Sequence, residues 1–161
     1  MREESSRKKE PPMTTANLPT GKSADLIAHD RIASAQVYKV LPDIARQVAA
    51  YWATTHQRVC HSPCALLGED RLTITLEDAL TPLEAVSAAT EDGYRALLLD
   101  VQREIDGVYA QLATQVERHF HCYVGALDVA LIPARAAIRL ELELRDPPAY
   151  LAGAAFASSC R

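Results

Sequence analysis

The chain has 161 residues, with 17 Lys and Arg against 21 Asp and Glu, a formal net charge of −4 and a pI near 5.7. That length suits one domain, and 48% hydrophobic with 24% charged residues is ordinary for a globular protein. The acidic balance argues against a nucleic-acid partner held by phosphate neutralisation, and no apolar run approaches the ~18–20 residues of a membrane span.

Residues 1–23 carry Arg2, Arg7, Lys8, Lys9 and Lys22 against Glu3, Glu4 and Glu10, with Pro11-Pro12 and no apolar periodicity. Such a segment buries too little surface to offset its ordering entropy, so it reads as a tail, and it lacks the apolar core of a signal peptide. The expected organisation is a tail over 1–23, one domain over 24–146 and a C-terminal tail over 147–161, whose small, weakly apolar residues either fold back or stay mobile. With nothing directing the chain outward, it reads as cytoplasmic, with Cys60, Cys64, Cys122 and Cys160 as reduced thiols.

From Ala24 to Gln57 the apolar residues Leu26, Ile27, Ile32, Val37, Val40, Leu41, Ile44, Val48 and Trp52 recur at helical spacing. Pro42 lacks an amide donor and suits a first turn, so two helices are expected, at 25–40 and 42–57. Leu72, Ile74 and Leu76 alternate with Thr73, Thr75 and Glu77, the period of a half-buried strand. Cys64–Leu67 is its expected hairpin partner across Gly68-Glu69-Asp70-Arg71. Thr81-Pro82-Leu83-Glu84 then reads as a capping box with proline at the first helical position.

After Gly93 the residues Tyr94, Leu98, Val101, Ile105, Val108, Leu112, Val116 and Phe120 return every three or four positions. Arg95, Asp100, Arg103, Glu104 and Glu117 fall on the other face. The spacing predicts a long amphipathic helix. Residues 122–132 and 138–144, joined by Pro133-Ala134-Arg135, predict a second hairpin, which Pro147-Pro148 ends. The fold class expected is α+β: a two-layer sandwich of about four strands with helices on one face. A helix of about 42 Å overhangs strands of about 26 Å, so Leu98, Val101, Ile105, Val108 and Leu112 are expected to pair with a second copy in a twofold homodimer.

The run Leu72-Thr-Ile-Thr-Leu-Glu-Asp-Ala-Leu-Thr-Pro-Leu-Glu84, then Thr90-Glu-Asp-Gly93, Arg103, Val124-Gly125 and Asp128, resembles the MpsC-like domain family, over roughly residues 41–145. The family's Gly-x-Gly-Pro loop is replaced here by Cys60-His61-Ser62-Pro63-Cys64. The resemblance implies a non-enzymatic accessory or regulatory protein, associated with a membrane transporter of cations or inorganic carbon. It would lie in the cytoplasm, peripheral to the inner membrane through a transporter subunit, without a cofactor.

The alternative is a small metal- or thiol-dependent sensor or enzyme built on Cys and His. Cys60, His61 and Cys64 are the candidate metal ligands, because thiolate and imidazole suit tetrahedral zinc, and His119, His121 and Cys122 could complete the set. Their topology opposes this, since the two groups fall at opposite ends of the expected sheet. The acid pairs Glu69-Asp70, Glu77-Asp78 and Glu91-Asp92 sit at turns or helix starts, where turn chemistry and the helix dipole account for them. Arg103 and Asp128 remain as candidate functional charges, with Arg135 and Arg139 as candidate partners for Asp128.

Overall fold

The computed structural model describes residues 22–151 and 155–157, with side chains from residue 35. The 1–23 tail falls almost wholly outside the described residues. The elements in order are helix α1 (Lys22–His56), strands β1 (His61–Leu67) and β2 (Arg71–Glu77), helices α2 (Pro82–Ser87) and α3 (Glu91–Phe120), strand β3 (Tyr123–Ile132), a 3-10 turn, strand β4 (Ala137–Arg145), a second 3-10 turn, and strand β5 (Phe156–Ala157). The class is α+β, as expected, with five strands in place of about four.

All neighbouring strands are antiparallel, in the order β3-β4-β2-β1-β5. The period-2 alternation of the sequence becomes rows of side chains across the sheet. Leu131, Ile138 and Leu76 form one row, Val129, Leu140, Ile74 and Ala65 the next, and Leu127, Leu142, Leu72, Leu67 and Phe156 the third. Most of these are buried, with Leu127 and Val129 partly so at the edge. α1 covers β1 and α3 covers β3. The helices bring Val37, Leu41, Ile44, Val48 and Trp52 from one side, and Val101, Ile105, Val108, Leu112, Val116 and Phe120 from the other. Burying one such side chain fully is worth about 1.5–3 kcal/mol.

The other sheet face stays open, as antiparallel sheets allow. It carries Thr73, Thr75, Arg139 and Glu141, with Arg71 and Arg139 both on the Glu141 carboxylate, at 2.9 and 3.1 Å, and Arg135 paired with Glu77.

The structure changes two expectations and decides between two alternatives for the C-terminal segment. α1 runs unbroken through Pro42. The buried stripe continues at Leu41, Ile44 and Val48 across the proline, and that burial outweighs the roughly 3 kcal/mol of an interior proline. Of the two readings of the C-terminal segment, its described residues take the one that folds back. Leu151 is fully buried, the Tyr150 hydroxyl donates to the Phe120 carbonyl at 3.3 Å, and β5 pairs with β1. The stripe expected to form a homodimer is consumed within the chain: Val101, Ile105, Val108 and Leu112 are buried and Leu98 is partly so. α1, 35 residues long, lies beside α3, so the overhang needs no second copy.

The hairpins and caps follow the sequence closely. Thr81 accepts from the Glu84 N–H at 3.0 Å while the Glu84 carboxylate accepts from the Thr81 N–H at 2.6 Å. Thr90 caps α3 by accepting from the Gly93 N–H. Gly93 must be glycine, because a Cβ there would collide with the Ser87 carbonyl.

Candidate functional site

The buried stripe of α1 ends in Trp52 and His56, one turn apart. Trp52 is 1% exposed and its indole N–H donates to the Ala79 carbonyl at 3.1 Å, tying α1 to the segment between β2 and α2. His56 stacks on the indole, with ring centroids 3.9 Å apart and planes at 23°. Its Nε2 lies 2.5 Å from Oε2 of Glu104 on α3. In the same region the Tyr51 hydroxyl donates to the Glu104 backbone carbonyl at 3.1 Å. Two bonds therefore fix one turn of α3 against the end of α1.

These groups line a cavity of about 230 Å³, closed by Leu80, Glu84, Leu97, Asp100, Val101 and Arg103. His56 and Glu104 are a quarter to a third exposed there. Glu84 is engaged by the capping box, and Arg103 reaches Asp100 at 3.4 Å, both well exposed. A carboxylate-oriented imidazole on an aromatic floor, with a guanidinium at the rim, suits a small polar ligand or a polar side chain of a partner. Among the described residues, the lining combines carboxylates, an imidazole and a guanidinium with apolar side chains. A larger cavity of about 330 Å³ between α1 and α3 is neutral, with Gln47, Gln111 and Gln115 above Val48, Val108 and Leu112.

The sequence-derived metal set does not assemble. Cys60 is a buried free thiol. Burial pushes it above the ordinary thiol range, opposed by Arg58 and reinforced by Asp78. Exposed His61 places Nδ1 3.4 Å from the Asp78 carboxylate. Cys64 is disulfide-bonded, which corrects the expectation of reduced thiols throughout and removes it as a thiolate ligand in this state. Cys122 is also buried and free, pushed up by burial and then by Glu117. His119 and His121 flank buried Phe120 and line different cavities. Among the described residues no three His, Cys, Asp or Glu side chains converge to hold a metal ion.

Asp128 is exposed on β3, an edge strand, opposite Glu141. Neither expected arginine reaches it: Arg139 pairs with Glu141 and Arg135 with Glu77. The sequence did not single out His56, and it gave Trp52 only as part of the apolar stripe and Glu104 only as part of a polar helix face. The available signal was Trp and His four residues apart at the end of an apolar stripe. Their acidic partner is 48 residues further on, beyond any local pattern.

No helix among the described residues is long and apolar enough to cross a membrane. No protein-family model, curated protein or solved structure matches the chain.

Proposed function

We propose that this is a non-enzymatic accessory or regulatory protein, acting on a membrane transporter of cations or inorganic carbon through the corner formed by α2, the start of α3 and the end of α1. One observation carries the reading. The stretch on which the MpsC-like resemblance rests folds into the wall of the His56 cavity, with Leu80, Glu84 and Arg103 all lining it. Beside it, Leu83 and Val86 are 80% and 70% exposed on α2, a helix with no buried residue. Apolar side chains next to a polar recess suit a partner that brings an apolar contact and one polar group. The thiols support the same reading, since a buried protonated thiol packs and does not attack. The transporter would hold the protein at the cytoplasmic face of the inner membrane. A homodimer, if the working form is one, must use a face other than the α3 stripe.

The test is affinity capture from a detergent extract of the source membranes, with the retained proteins identified by mass spectrometry. The wild type should retain a subunit of a cation or inorganic-carbon transporter. Leu83→Asp with Val86→Asp should lose it while keeping the melting temperature, since both side chains are exposed. Retention of no such subunit, or equal retention by the double variant, contradicts the proposal.

A second reading, a thiol-dependent sensor, is favoured by one observation, the disulfide at Cys64. Alkylation of the native protein tests it: the Cys64 thiol should become modifiable only after reduction.

A further inference from the structure

Two facing stretches of helix carry no charge. Residues 47–55 of α1 and 107–116 of α3 contain no Lys, Arg, Asp or Glu, in a chain of which 24% is charged. The fold brings them side by side, and together they supply the whole lining of the neutral cavity of about 330 Å³. We propose that this face is the contact surface of a twofold homodimer, in which the two long helices of one copy pack on those of the other.

The sheet leaves this face uncovered. Gln47, Ala50, Gly107, Ala110 and Gln111 are exposed on it, whereas Val48, Val108 and Leu112 form its buried floor. Its hydroxyls add little polarity. Thr54, Thr55 and Thr114 donate to the carbonyls of Ala50, Tyr51 and Ala110, each one turn back along its own helix. The crossing of the helices is tight: the Tyr51 hydroxyl donates to the Glu104 carbonyl at 3.1 Å, and a Cβ at position 107 would stand 3.0 Å from that hydroxyl. Small side chains at 50, 107 and 110 let a second pair of helices approach closely.

Two features select a second copy as the occupant. The first is charge. A chain with a net charge of −4 repels its own copy, and the repulsion is least where neither surface carries a charge. A charged partner would be drawn to the charged surfaces around this face, and not to the face itself. Depletion of charge is also what marks the centre of an interface. The second feature is self-complementarity. A twofold axis sets one patch against its own copy, so the patch must pair with itself. Glutamine amides both donate and accept, and Gln47, Gln111 and Gln115 rim the cavity. The flanks carry both signs as well, with the Asp43–Arg46 pair before the patch on α1 and Asp106, Glu117 and Arg118 beside it on α3.

This contact is independent of the transport reading. Gln47 and Gln111 do not line the His56 cavity, and Leu83 and Val86 lie on α2, so the two fail separately.

The experiment uses the full chain at tens of micromolar and low ionic strength, where charge is least screened. Mass is read by light scattering and sedimentation. The wild type should show twice the 17.6 kDa of one chain. Gln47→Glu with Gln111→Glu, and separately Gln47→Lys with Gln111→Lys, set like charges on both sides of the twofold face. Each double variant should be a monomer with an unchanged melting temperature, because both positions are exposed. An equimolar mixture of the two should recover the dimeric mass, which variants damaged in folding would not do. A wild type that is monomeric throughout overturns the proposal and leaves the face to a small ligand or another protein. So do charged variants that stay dimeric, which would put the contact elsewhere, and a mixture that stays monomeric.

Discussion

Asp128 acts through its place on an edge. β3 is ten residues long, apolar apart from this acid, and at the margin of the sheet, where an unpaired strand invites another copy. α3 blunts that edge with three side chains. Glu117 accepts from the Val124 N–H at 3.0 Å, the Tyr109 hydroxyl donates to the Gly125 carbonyl at 2.5 Å, and the Tyr94 hydroxyl accepts from the Leu131 N–H at 3.2 Å. Backbone groups of alternate residues face the same edge, so Leu127 and Val129 share the outer side with Leu131. They are the open window, and Asp128 stands between them. Two copies pairing antiparallel through that window would bring two Asp128 carboxylates together. Asp128→Val should therefore raise self-association at micromolar concentration with little change in melting temperature, as read by light scattering. A variant as monodisperse as the wild type would remove this role.

The buried thiols set a pH dependence at the same scale. Burial raises Cys60 and Cys122 above their unfolded values. In the unfolded chain a thiol ionises near pH ~8.5, while in the folded chain it stays protonated to higher pH. The stabilisation is thus fully present below pH ~8.5 and is lost as pH rises through the raised folded values. Melting temperatures at pH 7, 9 and 10 should fall in the alkaline range, and the fall should be shallower in Cys60→Ala with Cys122→Ala. Equal slopes would assign it to other groups, among them Tyr150, also raised by burial.

Among the elements, α2 and α1 make opposite points about local rules. At Thr81 the local rule holds, since both bonds of the capping box form. Thr81→Ala should cost about 0.5–2 kcal/mol in chemical denaturation, and a cost near zero would mean that neighbouring contacts hold α2. At Pro42 the local rule loses to packing. Pro42→Ala returns an amide donor inside a continuous helix and should stabilise the fold by about 1–3 kcal/mol, offset in part by a freer unfolded chain. Destabilisation would mean that the partly buried ring itself packs the core.

These cases explain what was legible in the sequence. α3 was, because a thirty-residue stripe at 3.6 spacing has one reading, and β2 and β4 were, because strict alternation buries one sheet face. The continuity of α1 was not, because proline is a local signal and the burial that overrides it comes from the sheet. β5 was missed because two residues carry no period and their pairing with β1 joins distant parts of the chain. The site divides the same way. Arg103 and Glu84 were reached through the resemblance and the cap, whereas the His56–Glu104 pair exists only once α1 lies against α3. The cysteine and histidine spacing suggested a metal set, but Cys64 is taken up in a disulfide and His61 faces Asp78.

For the molecule as a whole, one face of the sheet is closed by two long helices and the other is an open lattice of ion pairs. The conspicuous exposed apolar pair on α2 lies at the corner where the His56 cavity opens. That distribution is why we assign the working surface to this corner and not to the sheet. On the reading proposed above, this corner is where the protein would act on a transporter. The most direct measurement is uptake of labelled bicarbonate, and separately of monovalent cations, by cells lacking the protein and resupplied with wild type or with Leu83→Asp and Val86→Asp. The account predicts that uptake of one of these species falls on loss of the protein, returns with the wild type and does not return with the double variant. Uptake of all of them unchanged by loss of the protein would contradict it.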